Sequence, residues 1–271
     1  GLSGSSEGEE SFGQDHLVGR TLCGYKILRR IGKGGMGVVY EASQVSLGRR
    51  VALKVLRSDL AERPEFLSRF NREARSAAAL THPSIAQIYD VGEIDGLPFF
   101  SMELVKGSSL AETIHNEGPV TVNASVRVIC QVAAGLESAR RNGMVHRDIK
   151  PSNIMIKKSG RAKIIDLGLA KPWQQEDSIT RTGIVLGTLY YMAPEQSESP
   201  KKVDTRADIY SLGVTWYHAL SGHPPFQGET PMQILKKHCT EPLPSLERRR
   251  EDLPDGEVED IRATDHVAAL A

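Results

Sequence analysis

The sequence predicts an α+β protein with two lobes, a β-rich N-terminal lobe that contains one helix and a mainly helical C-terminal lobe. Segments rich in β-branched and aromatic residues dominate as far as residue 102, and helical periodicity dominates after Lys106–Gly107. The 271 residues, of which 39% are hydrophobic, suffice for two lobes that share a cleft. We therefore expect an N-terminal lobe over residues 21–102 and a C-terminal lobe over residues 103–271.

The first 20 residues differ from the rest of the chain, because they are rich in Gly, Ser and Glu and contain few apolar groups. A segment of this composition cannot bury enough apolar surface to offset the entropy lost on ordering. We expect a disordered tail over residues 1–20.

Charge and cysteine content exclude several classes of partner and site. Basic and acidic residues number 34 each, so no nucleic-acid partner and no anionic membrane surface is expected. The three cysteines form no C-x-x-C pair and the eight histidines form no H-E-x-x-H motif, which predicts no structural metal site. No apolar run approaches membrane-spanning length and no secretion signal is present. We expect a cytoplasmic protein, or the cytoplasmic part of a longer membrane-anchored protein.

The N-terminal lobe begins with three predicted strands, in YKILRRI, GVVYEAS and RRVALKVL. The segment PEFLSRFNREARSAAAL follows with apolar residues at helical spacing, which predicts an amphipathic helix that ends before His82–Pro83. Two more strands, in IAQIYDVGEI and LPFFSMELV, flank a turn at Asp95–Gly96. These elements predict a small, mostly antiparallel sheet with one helix.

Gly32, Gly34 and Gly37 have the spacing G-x-G-x-x-G, which two unrelated kinds of nucleotide site share. A dinucleotide-binding fold places such glycines between a strand and a helix, whereas a protein kinase places them in a hairpin over ATP. The residues after Gly37, VVYEAS, are β-branched and aromatic where the first alternative needs a helix. The hairpin is therefore favoured.

The C-terminal lobe is predicted to be helical in SSLAETIHNEG, in VTVNASVRVICQVAAGLESARRNG and in ADIYSLGVTWYHALSG. Between the last two, MVHRDIKPSNIMI places Asp148, Lys150 and Asn153 in one loop. A carboxylate, an amine and an amide in this order suit phosphoryl transfer, since they can orient a hydroxyl, neutralise phosphate charge and hold a metal. Asp166 follows a second apolar strand and suits oxygen ligation of Mg²⁺.

Seven features occur in the order and roughly the spacing of one family, namely IGKGGMGVV, VALK, Glu73 in the predicted helix, HRDIKPSN, DLG, GTLYYMAPE and RADIYSLG. On these residues the chain resembles the bacterial-type (eukaryotic-like, Hanks-type) serine/threonine protein kinases over about residues 21–244. The resemblance implies a two-lobed protein kinase fold. It also implies ATP- and Mg²⁺-dependent transfer of a phosphoryl group to Ser or Thr hydroxyls of protein substrates.

The resemblance implies a role for each matched residue. Lys54 would contact the α- and β-phosphates of ATP and pair with Glu73. Asp148 would accept or orient the substrate hydroxyl, and Lys150 would touch the γ-phosphate. Asn153 and Asp166 would hold Mg²⁺. The implied nucleotide-binding set comprises Ile31, Gly32, Lys33, Gly34, Gly37, Val39, Ala52, Lys54, Met102, Glu103, Val105 and Asp166.

Regulation by phosphorylation is implied as well. Arg147 beside Asp148 is the arrangement in which a phosphorylated activation loop supplies an anion to an arginine cluster. The segment SITRTG offers Ser178, Thr180 and Thr182 as sites, and autophosphorylation would bring two copies of the chain together as a homodimer. Thr188, Glu195 and Asp208 are implied structural positions of the matched motifs, and Lys150 with Thr188 fits the serine/threonine pattern.

Two departures from the family pattern remain. The family usually has Phe at the position of Leu167. Leu is smaller than Phe but is still apolar, so we expect the packing at this position to persist. The C-terminal segment contains no recognisable counterpart of the family's last helices or of the arginine that pairs with Glu195, although residues 256–270 form a candidate amphipathic helix. We expect the C-terminal helices to be truncated or divergent.

Two other functions fit part of the sequence. A pseudokinase or ATP-binding interaction module would bind ATP without transferring phosphate, and the altered C-terminus favours it more than any missing catalytic residue does. A small-molecule kinase fits less well, since such enzymes lack the APE segment that is found here as Ala193–Glu195.

Overall fold

Six antiparallel strands form the sheet of the N-terminal lobe. The computed structural model describes residues 14–35, 37–166, 186–198 and 203–246. In order across the sheet the strands are β1, β2, β3, β4, β6 and β5. Their bounds are β1 Thr21–Leu22, β2 Tyr25–Lys33, β3 Gly37–Gln44, β4 Arg49–Leu56, β5 Ile88–Ile94 and β6 Leu97–Glu103.

The turn between β5 and β6 lies where the sequence predicts it. Asp95 and Gly96 both have positive φ angles, 48° and 77°, which fits a two-residue hairpin turn. The three strands predicted before the first long helix are β2, β3 and β4, and β1 is an addition of two residues. The pattern of β-branched residues therefore predicts this sheet well.

One long helix covers the sheet, as predicted. It is α2, Pro64–Ala78, and the short α1, Ser58–Ala61, precedes it. Phe66, Phe70, Ala74 and Ala77 form its buried face at spacings of three and four residues. The ring of Phe70 lies 5.7 Å from that of Phe100 on β6. Aromatic packing thus joins helix and sheet.

The predicted disordered tail is wrong for residues 14–20. Gln14–Leu17 is a 3-10 helix, and Leu17 is fully buried in the core formed by Tyr25, Ile27 and Tyr40. The N–H of Gly19 donates to the carbonyl of Ile27 at 2.8 Å. The physical reason is that the apolar Leu17 at the end of a polar segment finds a site beside β2. Residues 1–13 lie outside the described part of the chain.

A second, small sheet lies at the top of the C-terminal lobe. It contains β7 Gly107–Ser109, β8 Ile154–Lys157 and β9 Ala162–Ile164, in that order. The sequence predicts helix from Ser108, but the helix, α3, spans Leu110–Glu117. Ser109 is its N-cap, with a capping box to Glu112, so the residues before it are extended.

Helices form the body of the C-terminal lobe. They are α4 Val122–Arg141, α5 Leu186–Leu189, α6 Pro194–Glu198, α7 Arg206–Ser221 and α8 Pro231–Thr240. Helix α7 is buried on most of its faces, which makes it the centre of this lobe. It ends at Gly222, which has φ 83° and donates its N–H to the carbonyl of His218.

The base of the lobe is described only as far as residue 246. The amphipathic helix predicted over residues 256–270 lies outside the described residues. Among the described helices, none combines the length and the apolar character that crossing a membrane would require.

Candidate active site

A cleft of about 1150 Å³ lies between the two lobes. All twelve residues of the predicted nucleotide-binding set line it, from Ile31 on β2 to Asp166 beyond β9. Asp148, Lys150, Asn153 and Thr188 line it as well. The structure therefore brings the predicted binding residues and the predicted catalytic loop to one cavity.

The upper wall of the cleft is one face of the N-terminal sheet. Val39 on β3 is paired with Lys54 on β4, and Ala52 on β4 is paired with Met102 on β6. Because side chains alternate along a strand, Ala52 and Lys54 point to the same side of the sheet. Ala52 and Met102 are buried, and they place small and flexible apolar groups at the inner end of the cleft.

The glycine hairpin between β2 and β3 covers the outer end of the cleft. The N–H of Gly34 donates to the carbonyl of Gly37 at 2.9 Å and closes the turn. A Cβ on Gly37 would lie 2.1 Å from the carbonyl oxygen of Val55, whereas a Cβ on Gly34 would meet nothing within 4 Å. Gly37 is thus required by the close approach of β3 and β4, and Gly34 is free of that constraint.

Lys54 reaches across the cleft to the C-terminal lobe. Its side chain is 8% exposed, and its ammonium donates a hydrogen bond to Oδ1 of Asp166. The predicted partner Glu73 lies in α2, but its side chain is outside the described residues. The structure therefore joins the lysine of VALK to the aspartate of DLG, and the predicted pairing with Glu73 stays a prediction.

The catalytic loop holds Asp148 in a buried network. Asn153 Nδ2 donates to Oδ2 of Asp148 at 2.9 Å and to its carbonyl oxygen at 2.8 Å. Lys150 Nζ lies 3.1 Å from the same Oδ2. The Asp148 side chain is only 4% exposed. These bonds fix the carboxylate at the floor of the cleft.

Lys150 also connects the catalytic loop to the GTLYYMAPE segment. Its ammonium donates to Oγ1 of Thr188 at 2.8 Å. A single cation therefore bridges Asp148 and Thr188. The bond also joins Lys150 and Thr188, the two positions that together fit the serine/threonine pattern in the sequence.

The backbone of the catalytic loop is anchored from below by Asp208 of α7. The two carboxylate oxygens accept the N–H groups of His146 and Arg147, at 2.8 and 2.7 Å. Burial raises the pKa of Asp208 to about 6, and these two backbone bonds act in the opposite direction. Asp208 therefore acts through the backbone of its neighbours and lies outside the cleft.

Two residues at the site have left-handed backbone conformations without being glycine. Arg147 has φ 63° and Asp166 has φ 59°. The Arg147 Nη2 donates to the carbonyl of Val203 at 3.4 Å, and its Nε is buried without a hydrogen-bond partner among the described residues. The guanidinium is thus tied to the segment that leads into α7.

Gln196, which no motif in the sequence indicates, supports the same loop. Its Nε2 donates to the carbonyl of Arg147 at 3.1 Å, and its Oε1 accepts the N–H of Ala193 at 3.0 Å. It is 4% exposed, so both bonds are shielded from water. Its position directly after the APE glutamate was the available signal, but a single glutamine gives no pattern from which to predict a tertiary contact.

Met155 is a second residue that was missed. It lines the cleft from β8, directly after Ile154, which is buried. The alternation in IMIK was the available signal, because it places successive side chains on opposite faces of the strand.

Asn153 and Asp166 have the donor atoms for a divalent cation. The N–H of Ile165, the residue before Asp166, donates to the carbonyl of Asn153 at 2.8 Å. This bond brings Asp166 and Asn153 close to each other. Asn153 uses its Nδ2 on Asp148, so its amide oxygen remains as the group suited to a hard cation. The Asp166 side chain is 31% exposed and borders the cleft. This pair of oxygen donors fits Mg²⁺.

Several predicted positions lie away from the cleft or outside the described chain. Glu195 lies in α6 and contributes to the raised pKa of Arg206, for which Asp204 is the main cause. The predicted phosphorylation sites Ser178, Thr180 and Thr182, and also Leu167, fall outside the described residues.

The chain is similar to known proteins over most of its length. The family model described as "Protein kinase domain" matches residues 25–264. The serine/threonine-protein kinase PknB of Mycobacterium tuberculosis (strain ATCC 25618 / H37Rv) is 42% identical over 230 residues, 83% of this chain and 37% of that protein. The serine/threonine-protein kinase PrkC of Bacillus subtilis (strain 168) is 41% identical over 246 residues, 90% of this chain and 38% of that protein.

A solved structure agrees with these relatives. The crystal structure of the Mycobacterium tuberculosis PknI kinase domain matches with a TM-score of 0.70 and 30% identity, covering 93% of this chain and 96% of that one. The chain spans a little over a third of the length of PknB and of PrkC.

Proposed function

This chain belongs to the protein kinase family, and from that membership we propose that it transfers the γ-phosphoryl group of ATP to serine and threonine hydroxyls of proteins. The predicted family and the predicted two-lobed fold are confirmed. The observation that carries the proposed activity is the network in which Lys150 bridges Asp148 and Thr188 at the floor of the cleft. Because the chain spans a little over a third of PknB and of PrkC, the serine/threonine kinase activity that those names state is carried over to this chain only as part of the proposal.

ATP would occupy the cleft with its adenine at the inner end. Val39, Ala52 and Met102 give that end apolar walls, and Met155 adds the opposite side. The backbone of residues 103–105 would bond the edge of the adenine. The triphosphate would then extend beneath the glycine hairpin toward Lys54, whose buried ammonium suits phosphate oxygens.

Asp148 would orient the acceptor hydroxyl. Its Oδ2 accepts bonds from Asn153 and Lys150, so the carboxylate cannot rotate freely. The hydroxyl oxygen would form the new bond to the γ-phosphorus as the bond between that phosphorus and the oxygen it shares with the β-phosphate breaks. ADP would leave with that oxygen, the hydroxyl proton would pass to the Asp148 carboxylate, and Lys150 would balance charge on the transferred group. Fixed geometry of this kind supplies much of the rate increase in phosphoryl transfer.

Mg²⁺ fits the site as a cofactor. Asn153 and Asp166 would hold it through oxygen atoms, as their positions beside the cleft support. When bound, it would neutralise charge on the phosphate oxygens. Lys54 lies on the same carboxylate and would keep Asp166 oriented toward the phosphates.

We also propose that the kinase phosphorylates itself on Ser178, Thr180 or Thr182, with a second copy as the partner. The half-buried guanidinium of Arg147, with an Nε that is buried and unbonded within the described part of the chain, suits a phosphate on such a loop. ATP and Mg²⁺ are cytoplasmic reagents, so the domain would act there, whether alone or within a membrane-anchored protein. The even charge balance argues against nucleic acid as a partner.

The test is incubation of the wild-type chain and Asp148→Asn with radiolabelled ATP, Mg²⁺ and a generic protein substrate, followed by mapping of the modified residues. We expect the wild type to label Ser and Thr, and the variant to be slower by about 100-fold or more. Asp204→Asn is the matched control, because Asp204 is exposed and pairs with Arg206 outside the cleft.

Equal rates for wild type and Asp148→Asn would overturn the proposal. ATP binding by the wild type without any transfer would indicate the pseudokinase alternative. Labelling of a metabolite but of no protein would indicate a small-molecule kinase.

A further inference from the structure

Glu103, the last residue of β6, is held by two lysines of the C-terminal lobe. Lys163 Nζ on β9 donates to Oε2 at 2.7 Å, and Lys157 Nζ on β8 donates to Oε1 at 2.9 Å. The Lys163 side chain is 10% exposed and that of Lys157 is 31% exposed. The carboxylate at the start of the inter-lobe connection is therefore bound on both oxygens by the opposite lobe.

The segment 84–87, between α2 and β5, forms backbone hydrogen bonds with Glu103 and with Ile164, the residue after Lys163. The N–H of Ala86 donates to the carbonyl of Ile164, and the N–H of Ile164 donates to the carbonyl of Ser84, both at 2.8 Å. The N–H of Glu103 donates to the carbonyl of Gln87, also at 2.8 Å. We call residues 84–87, Glu103, Lys163 and Ile164 the lobe joint.

The ammonium of Lys163 lies at the centre of the lobe joint. Besides the carboxylate of Glu103, it donates to the carbonyl of Ile85 at 3.1 Å. One buried cation of the C-terminal lobe thus bonds both the segment 84–87 and the start of the inter-lobe connection. Charge-assisted hydrogen bonds in a shielded place are stronger than neutral ones.

Helix α4 packs against the lobe joint without room to spare. A Cβ on Gly135 would lie 3.3 Å from the carbonyl oxygen of Ser84 and 3.2 Å from Cδ1 of Ile164. Because a helix backbone supports the joint from below, movement of the joint toward the C-terminal lobe is blocked. The groups that Lys163 binds therefore have a defined position relative to that lobe.

The charge of Glu103 suits this arrangement. Burial tends to raise its pKa, but the hydrogen bonds from Lys163 and Lys157 outweigh that effect, and the pKa lies below its ordinary value. The carboxylate is therefore ionised at neutral pH, and the ion pair persists there.

We propose that Lys163 is a positioning residue for nucleotide binding, which fixes the direction of the backbone of residues 103–105 through Glu103 and the segment 84–87. The proposal rests on the proposed function, in which that backbone binds adenine. A fixed backbone binds a ligand with less loss of conformational entropy than a mobile one. Loss of the Lys163 bonds should therefore weaken nucleotide binding and leave the phosphoryl transfer step less affected.

The experiment measures the dissociation constant of ADP by calorimetry, which needs no phosphoryl transfer. We expect Lys163→Met to weaken ADP binding by about three- to tenfold, and Lys163→Arg to restore part of it because a cation remains. Lys158→Met is the matched control. Lys158 is an exposed lysine next to Lys157, and its substitution by Met removes the same charge as Lys163→Met does. It should bind ADP as the wild type does.

Glu103→Gln provides the second variant, because it keeps the shape of the side chain and removes the charge. If Lys163 acts through Glu103, the effects of the two substitutions should not add. The double variant Lys163→Met/Glu103→Gln should then bind ADP no more weakly than whichever single variant has the lower affinity for ADP. For active protein, the KM for ATP should rise while kcat changes by less than about threefold.

Three outcomes would overturn the proposal. In the first, Lys163→Met lowers the melting temperature but leaves ADP binding within twofold of wild type. In the second, kcat falls and ADP binding is unchanged, which places the effect at the catalytic loop. In the third, the wild type binds no nucleotide, and then the proposed function fails as well. The first two outcomes leave the proposed function intact.

Discussion

The floor and the roof of the cleft are built in different ways. On the floor, Asp148 and Asn153 are buried, and the Asp148 carboxylate bonds the side chains of both Asn153 and Lys150. In the roof, Ile31 and Lys33 are exposed, and the glycine hairpin is held mainly by backbone pairing between β2 and β3. The floor is therefore held by buried side-chain hydrogen bonds. The roof is held by backbone hydrogen bonds between two strands whose side chains are partly exposed to solvent.

This difference matches what each side has to do in the proposed reaction. Reacting groups must be held in place to within tenths of an ångström, and buried networks achieve that. A roof over a nucleotide must open for exchange, and a hairpin with exposed side chains can move without breaking a core. The comparison indicates that the buried side-chain bonds of the cleft are concentrated on its floor.

The strongest test of the rigid floor is Asp208→Asn. The new amide can accept only one of the two backbone N–H groups, so the other faces an amide nitrogen in a buried place. We expect a loss of about 2–3 kcal/mol in the free energy of unfolding, and a fall in kcat of about tenfold or more because the catalytic loop shifts. Denaturant unfolding and steady-state kinetics measure the two effects.

Asp204→Asn is the control for that prediction, since its exposed pair with Arg206 should contribute less than about 1 kcal/mol. An Asp208→Asn protein with wild-type stability and kcat would show that the floor does not depend on this anchor.

The roof is tested by Gly37→Ala beside Gly34→Ala. A Cβ at position 37 would lie 2.1 Å from the Val55 oxygen, so β3 must move away from β4, whereas position 34 has open space. We expect Gly37→Ala to cost about 2 kcal/mol in unfolding free energy and Gly34→Ala to change it by less than about 0.5 kcal/mol. Thermal and denaturant unfolding measure the difference.

Equal stability of the two glycine variants would contradict the view that only the base of the hairpin is constrained. If Gly34→Ala alone proved destabilising, the tip would be the rigid part and the comparison of floor and roof would be reversed.

Acid should loosen the support beneath the floor. His238 of α8 bonds the hydroxyl of Tyr210 of α7 at 2.7 Å and lies against the ring of Phe226. Burial lowers the pKa of His238 to about 4. Because a lowered pKa means that the folded state disfavours the charged ring, protonation of His238 favours unfolding. The stability contributed by the neutral ring is fully present above the ordinary pKa of 6.5 and is lost as the pH falls toward 4.

The measurement is the unfolding free energy of wild type and His238→Gln at pH 7 and pH 5. We expect the wild type to lose on the order of 1–2 kcal/mol more than the variant over this range. The raised pKa of Asp208 acts in the opposite direction below about pH 6, but both proteins contain it, so it cancels in the difference. Equal losses in the two proteins would show that His238 is not a source of the acid sensitivity.

The order of the motifs made most of the cleft predictable. Asp148, Lys150 and Asn153 are neighbours in sequence, and their spacing alone places them in one loop. The helix face of α2 and the hairpin at Asp95–Gly96 follow from periodicity and turn preferences in the same way. Local patterns predict local structure, and here the chemistry is concentrated in local patterns.

What could not be predicted depends on contacts between distant segments. Gln196 and Lys163 look like ordinary polar residues in the sequence, and their roles appear only when the loop of Arg147 and the carboxylate of Glu103 lie beside them. Leu17 lies in a segment that the sequence predicts to be a disordered tail, because the few apolar residues of that segment show no periodicity. In each case the deciding partner lies in another segment of the chain.

The left-handed backbone of Arg147 and Asp166 has a different consequence at each position. A residue with a Cβ loses on the order of 1 kcal/mol in this conformation relative to glycine. At position 166 glycine would relieve that strain but would leave the buried ammonium of Lys54 without its carboxylate, which costs more than the strain. Selection for thermal stability alone would therefore favour glycine at position 147 and keep Asp166. A thermostable library built on this domain should be screened for activity at residue 147 first, because a gain found there removes a guanidinium beside the catalytic loop.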